Sequence, residues 1–141
     1  MNIAGIFMNL MQRLNVPVLT VKSKEGPEQY RIRMIGEKGQ WEGVARCFEE
    51  EKLFLFYIYF QVSVPPEKRD SVREVMMRIN YRLKCGGFYL DEETGYVLAR
   101  VSQFIVGDEE EQAALVESMV RICGTIADSY YSDIMKPVFC D

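Results

Sequence analysis

The residue types that could do chemistry in this chain are carboxylates and thiols, because histidine is absent altogether. Without an imidazole, neither a Ser-His-Asp nor a Cys-His nucleophile system can be assembled. Acidic clusters remain at Glu49-Glu50-Glu51, Asp91-Glu92-Glu93 and Asp108 to Glu111. Two carboxylates working as acid and base need unlike surroundings that drive their pKa values apart. All three clusters fall in predicted turns or at a helix start, where water surrounds every member alike. The stretch "DEETG", residues 91–95, also lacks the ligand count of a calcium loop. The clusters read as solvated turns.

The four cysteines, Cys47, Cys85, Cys123 and Cys140, are far apart and form no Cys-x-x-Cys pair. A zinc site would require four distant thiolates to converge. An even count also allows two disulfides, but a chain of 141 residues buries enough surface to stand without such staples. Free thiols in a reducing compartment are the plainer reading. Cys85 follows a predicted helix end, whose partial negative charge disfavours a thiolate. No catalytic, metal-binding or cofactor-binding residue emerges. The expectation is a non-enzymatic protein with no cofactor.

Net charge of −4 and a pI near 5.0 give no bulk attraction to phosphate backbones or anionic lipid. The predicted second helix carries Lys68, Arg69, Arg73, Arg78, Arg82 and Lys84 against Glu67, Asp70 and Glu74, six positive less three negative, or +3. Nucleic-acid binding would call for aromatic platforms or a much stronger patch, so this reads as a solvated face. The segment "MNIAGIFMNLMQRLNVP" has no Lys or Arg ahead of its apolar run and no small-residue cleavage pattern after it, unlike a signal peptide. No run approaches the roughly eighteen apolar residues of a membrane span. A cytoplasmic protein with no nucleic-acid or membrane partner is expected, one domain over residues 1–141.

The elements that would position any site follow from periodicity. Ile3, Phe7, Leu10, Met11 and Leu14 form one helical stripe, closed before Pro17. Short β-rich runs separated by Gly and charged turns follow: an extended segment near 18–24 of uncertain pairing, then "QYRIRMI", "WEGVARCF" and "LFLFYIYFQV", an antiparallel meander. Pro65 and Pro66 suit the first turn of a second helix with Val72, Val75, Met76, Ile79 and Leu83 inward and Gly86 or Gly87 as its left-handed stop. A hairpin turns at Gly95. Asp108 and Glu111 then form a capping box for a third helix with Leu115, Met119, Ile122, Ile126 and Tyr130 inward. The fold class is α+β: an antiparallel sheet of about five strands with helices packed on it, in the order α-β-β-β-α-β-β-α.

The strand "LFLFYIYF" is the most informative stretch. One face carries Phe54, Phe56, Ile58 and Phe60, and the other carries Leu53, Leu55, Tyr57 and Tyr59. A strand with one wet face alternates apolar with polar, and this one does not. Covering one such face stabilises by ~6–12 kcal/mol, at ~1.5–3 kcal/mol per side chain. The second face is either sheathed by the chain's own helices or meets another protein. Tyr57 and Tyr59 suit the latter, since phenols supply area and a polar tip at interfaces. In the neighbouring strand Val97, Ala99 and Val101 form a dry face, with Arg100 and Ser102 opposite.

The segment "RINYRLKCGGFYLDEETGYVLARV" resembles the helix-to-hairpin joint of the YbjN-like family, described as bacterial sensory transduction regulators. The carriers are Asn80, Tyr81, Gly86 or Gly87, Phe88, Leu90, Asp91 and Gly95, supported by Pro65, Pro66, Asp128, Tyr130 and Tyr131. The likeness covers about residues 40–139 and departs at Tyr96, Ser132 and Asp133. It implies a fold similar to type III secretion chaperones, commonly dimeric, with no enzymatic activity and no cofactor. It also implies a structural role for Asn80, Gly86, Gly87, Asp91 and Gly95, with the Asn80 amide holding the hairpin backbone. Together these point to a homodimeric protein-binding or regulatory module with an unidentified protein partner. Its candidate interaction surface is Leu53, Leu55, Tyr57 and Tyr59. A secretion-type chaperone and a small-molecule-binding sensor are the alternatives.

Overall fold

The computed structural model describes residues 1–140. Helix α1 (Ile3–Arg13) is followed by strands β1 (Leu19–Val21), β2 (Gln29–Gly36), β3 (Gly39–Phe48) and β4 (Leu53–Ser63). A 3-10 turn (Pro66–Lys68) leads into α2 (Arg69–Arg82), then β5 (Gly87–Leu90), β6 (Tyr96–Phe104) and α3 (Glu109–Phe139). The sheet has six strands in the order β1-β2-β3-β4-β6-β5, with every pairing antiparallel. The strand beyond the expected five is β1, which settles the pairing of the early extended segment. It is short, covering only Gln29 to Arg31 of β2.

Local chemistry sets the helix ends. The Asn2 side chain accepts the Gly5 N–H at the start of α1, and the Glu49 carboxylate accepts the Ile3 and Ala4 N–H groups at 2.8 and 3.0 Å. An anion at that end meets both the orphan donors and the positive pole of the helix dipole. At α3 the capping box closes both ways: Asp108 accepts the Glu111 N–H at 2.9 Å, and Glu111 accepts the Asp108 N–H at 3.2 Å.

Two sequence expectations shift. The α2 helix ends at Arg82, with Leu83 already extended, so the glycines do not cap it. Gly86, at φ +81°, instead makes the turn into β5. The prolines lie in the 3-10 turn and the residue before it, ahead of the helix proper.

All three helices contribute to one apolar cluster on one face of the sheet. Phe54, Phe56, Ile58 and Phe60 are fully buried there. From α1, Phe7 packs on Phe54 and Phe56 at ring separations of 5.9 and 6.2 Å. From α3, Tyr131 meets Phe60 edge-on at 4.9 Å and Tyr130 meets Phe88 at 6.0 Å. The buried seam of α3 runs through Val116, Met119, Cys123, Ile126 and Ala127, while Leu115, Ile122 and Tyr130 flank it half-buried. Small residues occupy the line of closest approach: the Cys123 thiol lies 3.6 Å from the Ala99 carbonyl oxygen and 3.8 Å from that of Phe56. A leucine there would hold the helix off the strands.

Candidate docking face

The opposite face of the sheet belongs to none of the helices. Antiparallel register lines up its side chains in rows: Arg31, Val44, Tyr57 and Arg100 across β2, β3, β4 and β6, and beside them Arg33, Glu42, Tyr59, Leu98 and Tyr89, the last on β5. A third row holds Gln29, Arg46, Leu55 and Ser102. Together the rows make one continuous surface across five strands. Here it forms an open trough of about 610 Å³, with Tyr57, Tyr59, Tyr89, Tyr96, Val44 and Leu98 among its lining residues.

Of the four proposed surface residues, Tyr57 and Tyr59 line this trough, their rings 6.4 Å apart. Leu55 lies in the next row, and Leu53 sits at the end of β4 opposite Phe104. All four are half-buried, whereas the alternating partners Phe54 to Phe60 are inaccessible. The doubly apolar strand therefore has one face closed by the chain's helices and one face open. The Tyr59 phenol pKa is raised, first by burial and then by the neighbouring Tyr57 and Asp91. It stays a neutral hydrogen-bonding group at physiological pH.

Guanidinium groups surround the tyrosines. Arg100 lies over the Tyr89 ring at 4.5 Å and donates to its hydroxyl at 3.3 Å. Arg46 stacks over Phe48 at 5.2 Å and donates to the Glu25 carbonyl at 3.4 Å. Arg31 has a carboxylate, Glu42, at 3.6 Å. Arg46, Val44, Leu98 and Tyr89 are the residues that sequence reasoning missed. Alternation within "WEGVARCF" places Glu42, Val44 and Arg46 on one side, but which side, and opposite what, depends on a register fixed only by folding.

The potential chemical groups have structural employment instead. Glu49 caps α1, Asp108 and Glu111 cap α3, and Glu92 forms ion pairs with Arg73 and Arg69. All four cysteines are free, and burial pushes the Cys47 and Cys123 thiols up to about 12. Among the described residues no group of three or more His, Cys, Asp or Glu side chains could hold a metal ion.

The helix-to-hairpin residues meet at the edge strand. The Asn80 carboxamide bonds to both backbone groups of Phe88, and Gly87 opens β5. Asp91 accepts the Glu93 and Thr94 N–H groups within the hairpin turn, and Gly95 completes that turn at φ +76°. A Cβ on Gly95 would approach the Val64 carbonyl oxygen at 3.0 Å, where the Val64 N–H already bonds to the Gly95 carbonyl.

The family model YbjN, described as "Putative bacterial sensory transduction regulator", matches residues 9–135, so the likeness extends well upstream of residue 40 into α1. No curated protein matches in sequence. The crystal structure of YbjN from E. coli superimposes with a TM-score of 0.62 at 10% identity, covering 92% of each chain, which shows a shared fold. The heterodimeric ExoU–SpcU complex of the Pseudomonas aeruginosa type III secretion system contains a chain that aligns at a TM-score of 0.37 and 15% identity. That alignment covers 79% of this chain and 80% of the other.

Proposed function

This chain belongs to the YbjN family, and on that premise we propose that it is a non-enzymatic regulatory module that docks a protein partner on the helix-free face of its sheet and works as a homodimer. One observation carries the docking reading. Tyr57 and Tyr59 sit at the centre of a concave, half-buried sheet face that no helix of the chain covers. Tyrosines held on strands give large, rigid contact area at low entropic cost, the composition favoured at interface cores.

Support for self-association lies at the sheet edge. Among the described residues no strand pairs with the outer edge of β2 beyond Arg31, and Ile35 on that stretch is 82% exposed. An open edge bearing an exposed apolar residue is a template for another strand. A second reading, a small-molecule sensor, draws on the same trough, whose volume suits a metabolite-sized ligand.

The test uses the whole chain. Tyr57→Ser combined with Tyr59→Ser should abolish partner capture in affinity purification from the native cell while circular dichroism stays unchanged. Undiminished capture would overturn the docking reading. Light scattering should give a dimer for the unaltered chain and a monomer for Ile35→Lys. A monodisperse monomer at high micromolar concentration would remove the dimer.

A further inference from the structure

We propose that the trough is a receptor for an extended acidic peptide segment, in which Arg46 and Arg100 each take one carboxylate and an apolar side chain between them seats against Tyr57. The inference rests on the docking reading above and names the chemistry of the partner.

The charges carry it. Arg31, Arg46 and Arg100 line the trough against Glu42 and Asp91, three positive less two negative, or +1. The whole chain is −4, so everything outside the trough sums to −5. The trough is therefore positive on a chain that is negative overall. Of the two acids, Glu42 is matched to Arg31, and Asp91 is committed to the amides of its own turn. Among the described residues Arg46 and Arg100 have no carboxylate within ion-pair distance; their contacts are aromatic rings, a phenol and a carbonyl. A guanidinium stacked on a ring keeps its planar fork of donors available for a carboxylate, the pairing for which arginine geometry is suited.

The interior side of Arg46 is also under-satisfied. The Nε atom of Arg46 is buried without a hydrogen-bond acceptor among the described residues, whereas that of Arg31 faces the Glu42 carboxylate at 3.6 Å. A side chain holding an unmet donor gives up little when an incoming anion draws it into a new position.

Geometry sets the spacing. Arg46 is opposite Leu55 and Arg100 is opposite Tyr57, so the two arginines flank β4 diagonally. Two strand spacings across and two residues along separate their Cα atoms by about 12 Å. Carboxylates four residues apart share one face of an extended chain and span about 13–14 Å, within side-chain reach of both guanidinium groups. Between them lies Tyr57, with Val44 opposite it in the same row, an apolar floor for one side chain.

Other occupants fit less well. A second copy laid face to face would oppose two troughs of the same sign. A single-stranded nucleic acid could use the tyrosines and arginines, but a net trough charge of +1 on an acidic protein gives little counterion release.

The experiment is fluorescence anisotropy with the full chain and a labelled synthetic peptide of sequence Glu-Val-Phe-Val-Glu, capped at both ends, beside its Gln-Val-Phe-Val-Gln counterpart. The acidic peptide should bind at least about tenfold more tightly, and the preference should fall as salt rises. Arg46→Gln and Arg100→Gln should each remove most of that preference, and Arg78→Gln on α2 should leave it intact. Equal binding of the two peptides, with loss of both in the Tyr57→Ser, Tyr59→Ser variant, would overturn the acidic preference while leaving the docking reading standing. Failure of the acidic peptide to bind at millimolar concentration, or tighter binding of a single-stranded oligonucleotide than of the peptide, would also overturn the proposal. Circular dichroism melts of each variant separate loss of binding from loss of fold.

Discussion

The carboxamide of Asn80 brackets the backbone of Phe88: its Nδ2 donates to the Phe88 carbonyl at 2.9 Å, and its Oδ1 accepts the Phe88 N–H at 2.7 Å. A side chain thus stands where a seventh strand would, and the outer edge of β5 has its central hydrogen-bonding pair already satisfied. Edge strands left open invite pairing with other chains. The sheet is blunted at β5 and open at β2, beyond Arg31.

Asn80→Ala should destabilise the fold by about 1–3 kcal/mol, because two partly buried backbone groups lose their partner. Asn80→Asp offers a sharper check. At neutral pH its carboxylate can accept the N–H but cannot donate to the carbonyl, and once protonated it can do both. The melting-temperature deficit of Asn80→Asp relative to the unaltered chain should therefore narrow as pH falls below about 4.

Gly86→Ala should cost more than the usual glycine-to-alanine change. The residue is at φ +81°, and an added Cβ would stand 2.9 Å from the Arg100 carbonyl oxygen, a backbone atom that cannot swing aside. We expect a loss above about 1 kcal/mol by chemical denaturation.

The two faces of β4 should respond differently to truncation. Phe56→Ala opens a cavity in a closed core and should cost about 3–5 kcal/mol. Tyr57→Ser, one residue on, removes contacts from an open face and should cost about 1 kcal/mol. Equal losses in urea denaturation would mean that the second face is a structural core.

Thiol chemistry should divide the cysteines. In the native protein at pH 8, Cys47 and Cys123 should resist alkylation and Cys140 should react, as mass spectrometry of labelled peptides would show. Their raised values also link stability to pH. Below the ordinary thiol value of 9.0 the contribution is fully present. Above it the unfolded chain sheds protons that the fold retains, so stability should fall from about pH 9 toward 12. The slope should reach about 1.4 kcal/mol per pH unit for each thiol. Cys123→Ala should flatten that alkaline slope.

Much of this architecture is legible one residue at a time. Pro17 and the Asp108–Glu111 pair mark helix boundaries through local backbone chemistry, and the unbroken apolar run of β4 identifies a central strand of the sheet. Two features are not local. The α3 seam follows Cys123 and Ala127 rather than Ile122 and Tyr130, because the distance between helix and sheet selects small side chains, and that distance exists only after packing. The trough escapes for a similar reason. Arg46 and Arg100 become neighbours of Tyr57 through two strand pairings, one of which joins residues 43 positions apart, Tyr57 with Arg100. Periodicity says that each arginine leaves its own strand on one side, and it says nothing of what stands opposite.

The one-sided placement of the helices has a consequence for the growing polypeptide. Phe54, Phe56, Ile58 and Phe60 owe much of their cover to α3, which follows all six strands in the chain. Until residues 116–135 have emerged, a sheet could pair in register and still present an aromatic wall to its surroundings. Premature termination between Phe104 and Val116 should yield an aggregating fragment rather than a smaller working protein.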